Sequence, residues 1–192
     1  MRENTKAKFS VADLVFTALF AALTAVCAVI AVPMPMTAVP VSLLVLGVFL
    51  TGGLLEKKKA FFAEMVYLLI GAVGVPVFAG FSSGVGVLFG PTGGYLLASP
   101  IMAFVIAWIA QPFRNSRRTV LTGMLAVGMI SALLMCYLLG TAWFCIYKKM
   151  TVLQGLGYCI FPFVLPDVIK LVVAVSVTAV LQPVLYKTRA LA

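Results

Sequence analysis

Long apolar stretches, separated by short charged, proline-rich or glycine-rich segments, form the main pattern of this chain. No charged residue occurs from Leu14 to Leu55, a stretch longer than one membrane helix of about 20 residues needs. Prolines interrupt it at 33–40, where they remove helical hydrogen bonds. Glycines interrupt a second uncharged stretch, 65–113, between residues 80 and 94. The pattern predicts six helices, with approximate bounds 11–32, 40–55, 59–78, 94–112, 119–147 and 155–185.

The composition places these helices in a lipid bilayer. Of the 192 residues, 64% are hydrophobic and only 10% are charged, whereas soluble domains carry about 25% charged residues. This excludes a soluble globular protein, and the high hydrophobicity excludes a disordered one. We therefore expect an all-α membrane protein, a single transmembrane domain over residues 1–192 with six transmembrane helices. The glycine-rich segment between helices 3 and 4 is expected to be an extracellular or re-entrant loop.

The net charge of +9 is distributed over the gaps between apolar stretches. A nucleic-acid-binding protein would collect its basic residues on one polar surface, so we expect no nucleic-acid partner. With six helices, most lysines and arginines fall on the side of the two termini, for example Arg2, Lys6 and Lys8. Lys148 and Lys149 are the exceptions. The positive-inside rule then predicts a multi-pass protein of the cell membrane with both termini cytoplasmic.

Few side chains remain that could carry out chemistry. The chain has no histidine and only five acidic residues, which excludes histidine-based catalysis and the usual zinc sites. The four cysteines lie far apart in apolar stretches, and we interpret them as buried, inert thiols. The sequence thus predicts no cofactor and no metal. Glu64 is expected to be an interfacial carboxylate beside Lys57–Lys59.

Asp167 and Lys170 are the most informative residues, since both lie inside the last apolar stretch. Their spacing places them on one face of a helix. Charges within membrane helices are costly and usually face a cavity or a partner. One interpretation is therefore a site for a polar ligand, in which the carboxylate accepts N–H groups and the ammonium donates. The alternative is a structural ion pair, or a helix end at which the lysine reaches the interface.

Two further features allow more than one interpretation. The segment Gly80–Gly94 lacks the features of a Walker A or Rossmann loop. It is either a simple turn that needs positive φ angles or a backbone that approaches a ligand closely. Helix 1 has small residues spaced to form a smooth face, which would suit packing within the chain or docking of another subunit; they are Ala18, Ala21, Ala22 and Ala25.

Several of these segments together resemble the BioY family. The glycine-rich region reads GVPVFAG at 74–80 and GVGVLFGPTGGYL at 84–96. Pro162-Phe163, followed by Asp167-x-x-Lys170, and Gly140-Thr141-x-Trp143 also resemble the family. The resemblance extends from about Ala18 to Pro183, nearly the whole chain.

The resemblance implies a function. BioY proteins are biotin-binding S components of energy-coupling-factor (ECF) transporters, which implies a non-enzymatic protein for high-affinity capture and uptake of biotin. It also implies partners, namely a membrane coupling subunit and two cytoplasmic ATPases, with docking through the alanine face of helix 1. Two alternatives remain: an S component or facilitator for another small vitamin or precursor, and a membrane enzyme with Asp167 or Glu64 as its base.

The ligand-binding residues expected from the resemblance and from the chemistry of biotin are Asp167, Lys170, Phe78, Phe81, Ser82, Ser83, Phe89 and Tyr95. Asp167 suits the ureido N–H groups of biotin, and Lys170 suits either the ureido oxygen or the carboxylate. The chain departs from the family at Leu44, where the family often has glutamine, so this position offers no polar contact. It also departs in the glycine-rich stretch, which here carries Phe81-Ser82-Ser83.

Overall fold

The computed structural model describes residues 10–33 and 39–190, and it is mostly helical. The predicted basic N-terminal segment therefore lies outside the described residues. Within them the elements are, in chain order, α1 (Val11–Val29), β1 (Ala31–Val32), β2 (Val41–Ser42), α2 (Leu44–Leu54), α3 (Lys57–Ala72), a 3-10 turn (Ala79–Phe81), α4 (Val85–Leu88), α5 (Gly93–Ala110), a 3-10 turn (Gln111–Phe113), α6 (Arg118–Lys148), α7 (Val152–Cys159) and α8 (Phe161–Ala190). The expectation of a mostly helical protein with several apolar helices is confirmed.

The first two helices are shorter than the sequence pattern predicts. β1 pairs with β2 in an antiparallel ribbon, in which Ala31 lies opposite Ser42 and Val32 opposite Val41. The residue before a proline avoids the helical region, which affects Val32 and Val39 because Pro33 and Pro40 follow them. The backbone groups at the ends of the predicted helices 11–32 and 40–55 are therefore used in strand pairing.

The third and last helices also differ from the prediction. Helix 3, expected to reach residue 78, ends at Ala72, because Gly74 takes a φ of +109° that a helix cannot contain. The last helix, expected at 155–185, is divided into α7 and α8 at Ile160. Pro162 has no N–H to continue α7, whereas proline is tolerated in the first turn of α8.

The helices pack around α5, which contacts α2, α3 and α6, while α8 packs on α2 and α6. Among the described residues, four helices are long and apolar enough to cross a membrane: Val11–Val29, Gly93–Phe113, Arg118–Lys148 and Phe161–Leu185. α2 is a shorter apolar helix, and α3 has 16 residues. These lengths support a multi-pass membrane protein.

Candidate ligand-binding pocket

A cavity of about 280 Å³ lies between α2, α5, α6 and α8 and is covered by the glycine-rich segment. Its volume is close to the lower end of the range for small-molecule sites, about 300–1,000 Å³. Its walls are largely apolar, and a few polar side chains converge on it. Such a lining suits a small ligand with an apolar body and a few hydrogen-bonding groups.

Asp167 and Lys170 both line this cavity from α8. Their spacing of three residues places them on the same face of the helix, and Lys170 Nζ donates to Asp167 Oδ1 at 2.8 Å. Both side chains are almost fully buried, at 2% and 7% exposure. A buried carboxylate and a buried ammonium at this distance compensate each other's charge. The structure thus brings one acceptor and one donor together at a cavity wall.

Tyr137 completes this polar group from α6, and the sequence pattern did not identify it. Its hydroxyl donates to Asp167 Oδ2 at 2.7 Å, and its side chain lines the cavity. Both carboxylate oxygens therefore have a protein partner in the absence of ligand. Tyrosines of membrane proteins are concentrated at the interfaces. The position of Tyr137 well inside a membrane helix could therefore have marked it in the sequence as a candidate functional residue.

Three of the other predicted residues also lie at the cavity: Phe78, Ser82 and Tyr95. Phe78 is fully buried, its ring packs edge-on against Tyr67 at 5.7 Å between centroids, and its backbone N–H donates to Ser82 O at 3.0 Å. Ser82 Oγ donates to Ala79 O at 2.8 Å. These contacts form a closed turn, and Phe78, Ala79 and Ser82 of this turn line the cavity.

Phe81, Ser83 and Phe89 were expected at the ligand but do not line the cavity. Phe81 takes a φ of +60° in the turn and is 70% exposed. Ser83 follows Ser82 in extended backbone, so the two side chains point to opposite sides. Phe89 is two residues beyond the cavity-lining Val87, which rotates it by about 200° around the helix axis. Local backbone geometry therefore directs all three away.

The glycine-rich segment is attached to α6 by Trp143. We would assign this residue to an aromatic belt from its position alone, but its indole Nε1 donates to Gly90 O at 2.9 Å. Tyr95, at the start of α5, meets α6 as well, with its hydroxyl 3.4 Å from Thr141 Oγ1. The glycine-rich segment above the cavity and Tyr95 in its wall thus both form hydrogen bonds to α6.

Further lining residues were not identified from the sequence. Cys136 and Cys159 are buried, as expected for all four cysteines, but these two also line the cavity. Thr92, Ser99 and Phe163 line it too. Thr92 and Phe163 belong to the family motifs, but only the packing of distant helices shows that these residues meet at the cavity.

The alanines of α1 divide between two faces. Ala18 and Ala22 are exposed, whereas Ala21 is buried in a cluster with Tyr67 and Phe78, and Ala25 is partly buried. Small residues therefore serve packing within the chain on one side of α1 and remain uncovered on the other.

The expectation for Glu64 was wrong. Its side chain is fully buried rather than interfacial, and Thr24 Oγ1 donates to its Oε1 at 2.8 Å. Glu64 lies on the side of α3 that faces the protein interior between α1, α2 and α5. Nearness to a basic cluster along the chain did not indicate the direction of the side chain.

Comparison with known proteins gives a consistent result. A family model described as the BioY family matches residues 1–187. A protein of Pyrococcus horikoshii named "Probable biotin transporter BioY" is 37% identical over 86% of this chain and 93% of its own length. A protein of Thermotoga maritima named "Biotin transporter BioY" is 38% identical over 84% of this chain and 90% of its own length. "Biotin transporter BioY2" of Lactococcus lactis is 36% identical over 88% of this chain and 86% of its own length.

One solved structure has the same fold. It is described as the crystal structure of the S-component for biotin from an ECF-type ABC transporter, and it superposes with a TM-score of 0.79. The match covers 95% of both chains at 22% sequence identity. The arrangement of helices around the cavity is therefore that of a known fold.

Proposed function

Since the chain belongs to the BioY family, we propose that it binds biotin in the cavity between α5, α6 and α8, as the substrate-binding component of an ECF-type transporter. The observation that carries this proposal is the buried Asp167–Lys170 pair at the wall of a largely apolar cavity. Biotin combines an apolar thiophane ring with a ureido group, which has two N–H donors and one carbonyl acceptor, and an anionic valerate. A site with one acceptor, one cationic donor and aromatic walls complements this combination.

The hydrogen bonds of Asp167 suggest how the ligand is accepted. A carboxylate has about four lone-pair positions, and Lys170 and Tyr137 use one on each oxygen. The ureido N–H groups can take the remaining positions, or replace the Tyr137 hydroxyl, without leaving the carboxylate unpaired. Lys170 then keeps its counter-charge and can donate to the ureido oxygen or to the valerate carboxylate.

The position of the cavity supports capture from outside the cell. Its lining comes from the end of α1, the start of α2, and the first turns of α5 and α8. The basic residues at the start of α3 and of α6 lie at the opposite helix ends. We assign six spans to α1, α2, α3, α5, α6 and α8, in one transmembrane domain with both termini in the cytoplasm. The pocket then faces outward, beneath the glycine-rich segment.

Partner docking is assigned to the uncovered face of α1. Ala18 and Ala22 lie there, and small residues let another helix approach closely. We propose that a membrane coupling subunit, which carries two cytoplasmic ATPases, packs on this face.

Calorimetry on the purified protein tests the proposal. Biotin should bind, and a panel of other vitamins should neither bind nor compete. Titrating Lys170→Ala with biotin and with biotin amide identifies the end of the ligand that Lys170 contacts. If it contacts the carboxylate, the variant should lose affinity for biotin but little for the amide; if it contacts the ureido group, both should weaken equally. Folded wild-type protein that binds another vitamin in place of biotin would contradict the assignment.

A further inference from the structure

Glu64 is the centre of a second polar cluster, which lies beside the pocket and reaches it only through Ser99. Its carboxyl is fully buried, and Thr24 Oγ1, also fully buried, donates to Oε1 at 2.8 Å. Thr51 Oγ1 lies 3.2 Å from Thr24 Oγ1, and the hydroxyls of Thr51 and Ser99 lie near the carboxyl. α1, α2, α3 and α5 thus each contribute one oxygen-bearing side chain to this cluster.

The cluster has no positive charge in the described part of the chain. No described lysine or arginine pairs with Glu64; Lys59 pairs with Asp13 and Glu56, and Lys170 pairs with Asp167. Glu64 Oε2 has no hydrogen-bond partner, nor has the hydroxyl of Tyr67, one turn further along α3. A bare carboxylate in a membrane interior costs several kcal/mol or more. Two unpartnered oxygens therefore occur beside a carboxyl that no described side chain would neutralise in its ionised form.

The other groups that face Glu64 cannot neutralise it. From α1 the titratable neighbour is Cys27, and from α3 it is Tyr67; both are neutral when protonated and add negative charge when they are not. From α2 and α5 the neighbours are the hydroxyls of Thr51 and Ser99, which do not titrate. No described side chain near Glu64 therefore supplies the compensating charge.

We propose that Glu64 and these hydroxyls form a second binding site, which takes one monovalent cation, either a proton or a sodium ion, and that its occupation is coupled to ligand binding in the neighbouring pocket. A single positive charge neutralises the single carboxylate, whereas a divalent ion would leave a buried excess of charge. Carboxylate and hydroxyl oxygens are ligands that hard cations prefer. Ionisable residues inside membrane domains commonly mark ion or proton sites.

Ser99 connects the two sites. It lines the pocket, and its hydroxyl donates to Leu96 O at 2.8 Å. While Glu64 is negative, the same hydroxyl has a stronger acceptor in the carboxylate. Neutralising Glu64 returns the hydroxyl to Leu96 and so changes the polar group that the ligand meets. Thr24 extends the cluster to α1, whose opposite face carries Ala22.

The first test needs no ligand and compares the wild-type protein with Glu64→Gln, which has the same shape and no charge. Thermal stability is measured in detergent in two series. In the first, sodium replaces choline stepwise so that the ionic strength stays constant; in the second, the pH is varied without sodium.

Sodium should stabilise the wild type if sodium fills the site. If a proton fills it, stability should fall as the pH rises, because the bare carboxylate then lacks a counter-charge. Glu64→Gln should lack the response that the wild type shows. Equal responses in both proteins, or none in either, would overturn the site.

The second test measures biotin affinity under the same two series and rests on the proposed function. Coupling should change the wild-type affinity by about fivefold or more between the empty and the filled site, and Glu64→Gln should be insensitive. An equal change in both proteins would refute the coupling. Lys170→Ala separates the two proposals, because it should lose biotin binding and keep the cation response of the ligand-free protein. A wild type that responds to the cation and binds no biotin would refute the proposed function and leave the cation site intact.

If Glu64→Gln does not fold, Thr24→Val is tested in its place. Valine is similar in size to threonine, so this variant keeps the Glu64 carboxyl and removes only the hydroxyl that donates to it. If sodium fills the site, the sodium concentration that gives half of the stabilisation should rise by about threefold or more. If a proton fills it, the midpoint of the pH series should move upward, by about threefold or more in proton concentration. An unchanged midpoint would overturn the site.

Discussion

Asp167 shows how a buried charge can be kept ready for a ligand. One of its oxygens accepts from Lys170 and the other from Tyr137, and all three side chains line the cavity. Because the two donors come from different helices, the position of the carboxylate depends on how α6 and α8 pack. Removing any member leaves another buried polar group without its partner, which adds to the lost contact with a ligand.

Asp167→Ala and Lys170→Ala should each weaken biotin binding strongly. A hydrogen bond to a charged group contributes roughly 1.5–3 kcal/mol, and this corresponds to about tenfold to more than a hundredfold in affinity. Ser176→Ala is the matched control, because Ser176 is an exposed residue of the same helix. Calorimetry on the three variants measures the effect. Normal affinity in both charge variants would mean that the pair is only a structural ion pair.

In α1 and in α6, the direction in which small residues face determines what each helix can contact. On α1, the pair Ala18/Ala22 points outward and Ala21 points into the protein. On α6, Gly140 leaves room for the ring of Tyr95, since an added Cβ would overlap that ring. The first arrangement forms the docking surface that we propose, and the second sets the shape of the pocket wall.

Ala22→Trp should leave biotin binding nearly intact while it prevents co-purification with the coupling subunit and abolishes energised uptake, because a large ring blocks close helix approach. Ala21→Trp is the matched control on the same helix. It places the ring in the buried cluster and should lower thermal stability, affinity and uptake together. Parallel loss of all three in Ala22→Trp would show instead that this face packs within the chain.

Gly140→Ala should reduce both stability and biotin affinity, since the Tyr95 ring has to move toward the cavity that it lines. Gly123→Ala is the control within α6: no atom lies within 4 Å of its added Cβ. Alanine favours a helix over glycine by about 1 kcal/mol, so Gly123→Ala should be neutral or stabilising. Thermal melts and titrations distinguish the two, and equal behaviour would contradict the assigned role of Tyr95.

At the scale of the molecule, the cavity and the basic segments lie at opposite ends of the helices. The lining comes from adjacent ends of α1, α2, α5 and α8, and Lys57–Lys59 and Arg117–Arg118 lie at the other end. In the orientation that we propose, one face of the bilayer is the site of ligand capture and the other is the site of contact with cytoplasmic partners.

The orientation can be checked with reporters. A fluorescent protein that folds only in the cytoplasm should be bright when fused after Ala192 and dark when it is inserted after Lys149, because the positive-inside rule places the C-terminus inside. A phosphatase active only outside the cytoplasm should give the reverse pattern. If Lys148 and Lys149 instead determined the topology, both reporters would be inverted.

The sequence by itself determined the class of protein, the approximate extent of its helices and the most informative pair of residues. Hydrophobic length and the scarcity of charge are local properties, and two charges inside one apolar helix are visible without any knowledge of packing. The family resemblance also rests on contiguous motifs such as GPTGGYL at 90–96, which survive as sequence whatever the fold.

The tertiary structure alone decided which side chains meet. Tyr137 reaches Asp167 across 30 positions of sequence, Phe81 and Phe89 turn away through local backbone angles, and Glu64 is enclosed by three other helices. Side-chain direction depends on how each helix is rotated against its neighbours, and these apolar helices have little amphipathic asymmetry to reveal that rotation. In a bilayer the polar side of a helix does not have to face solvent, so the burial of a single charge follows from packing and not from the pattern along the chain.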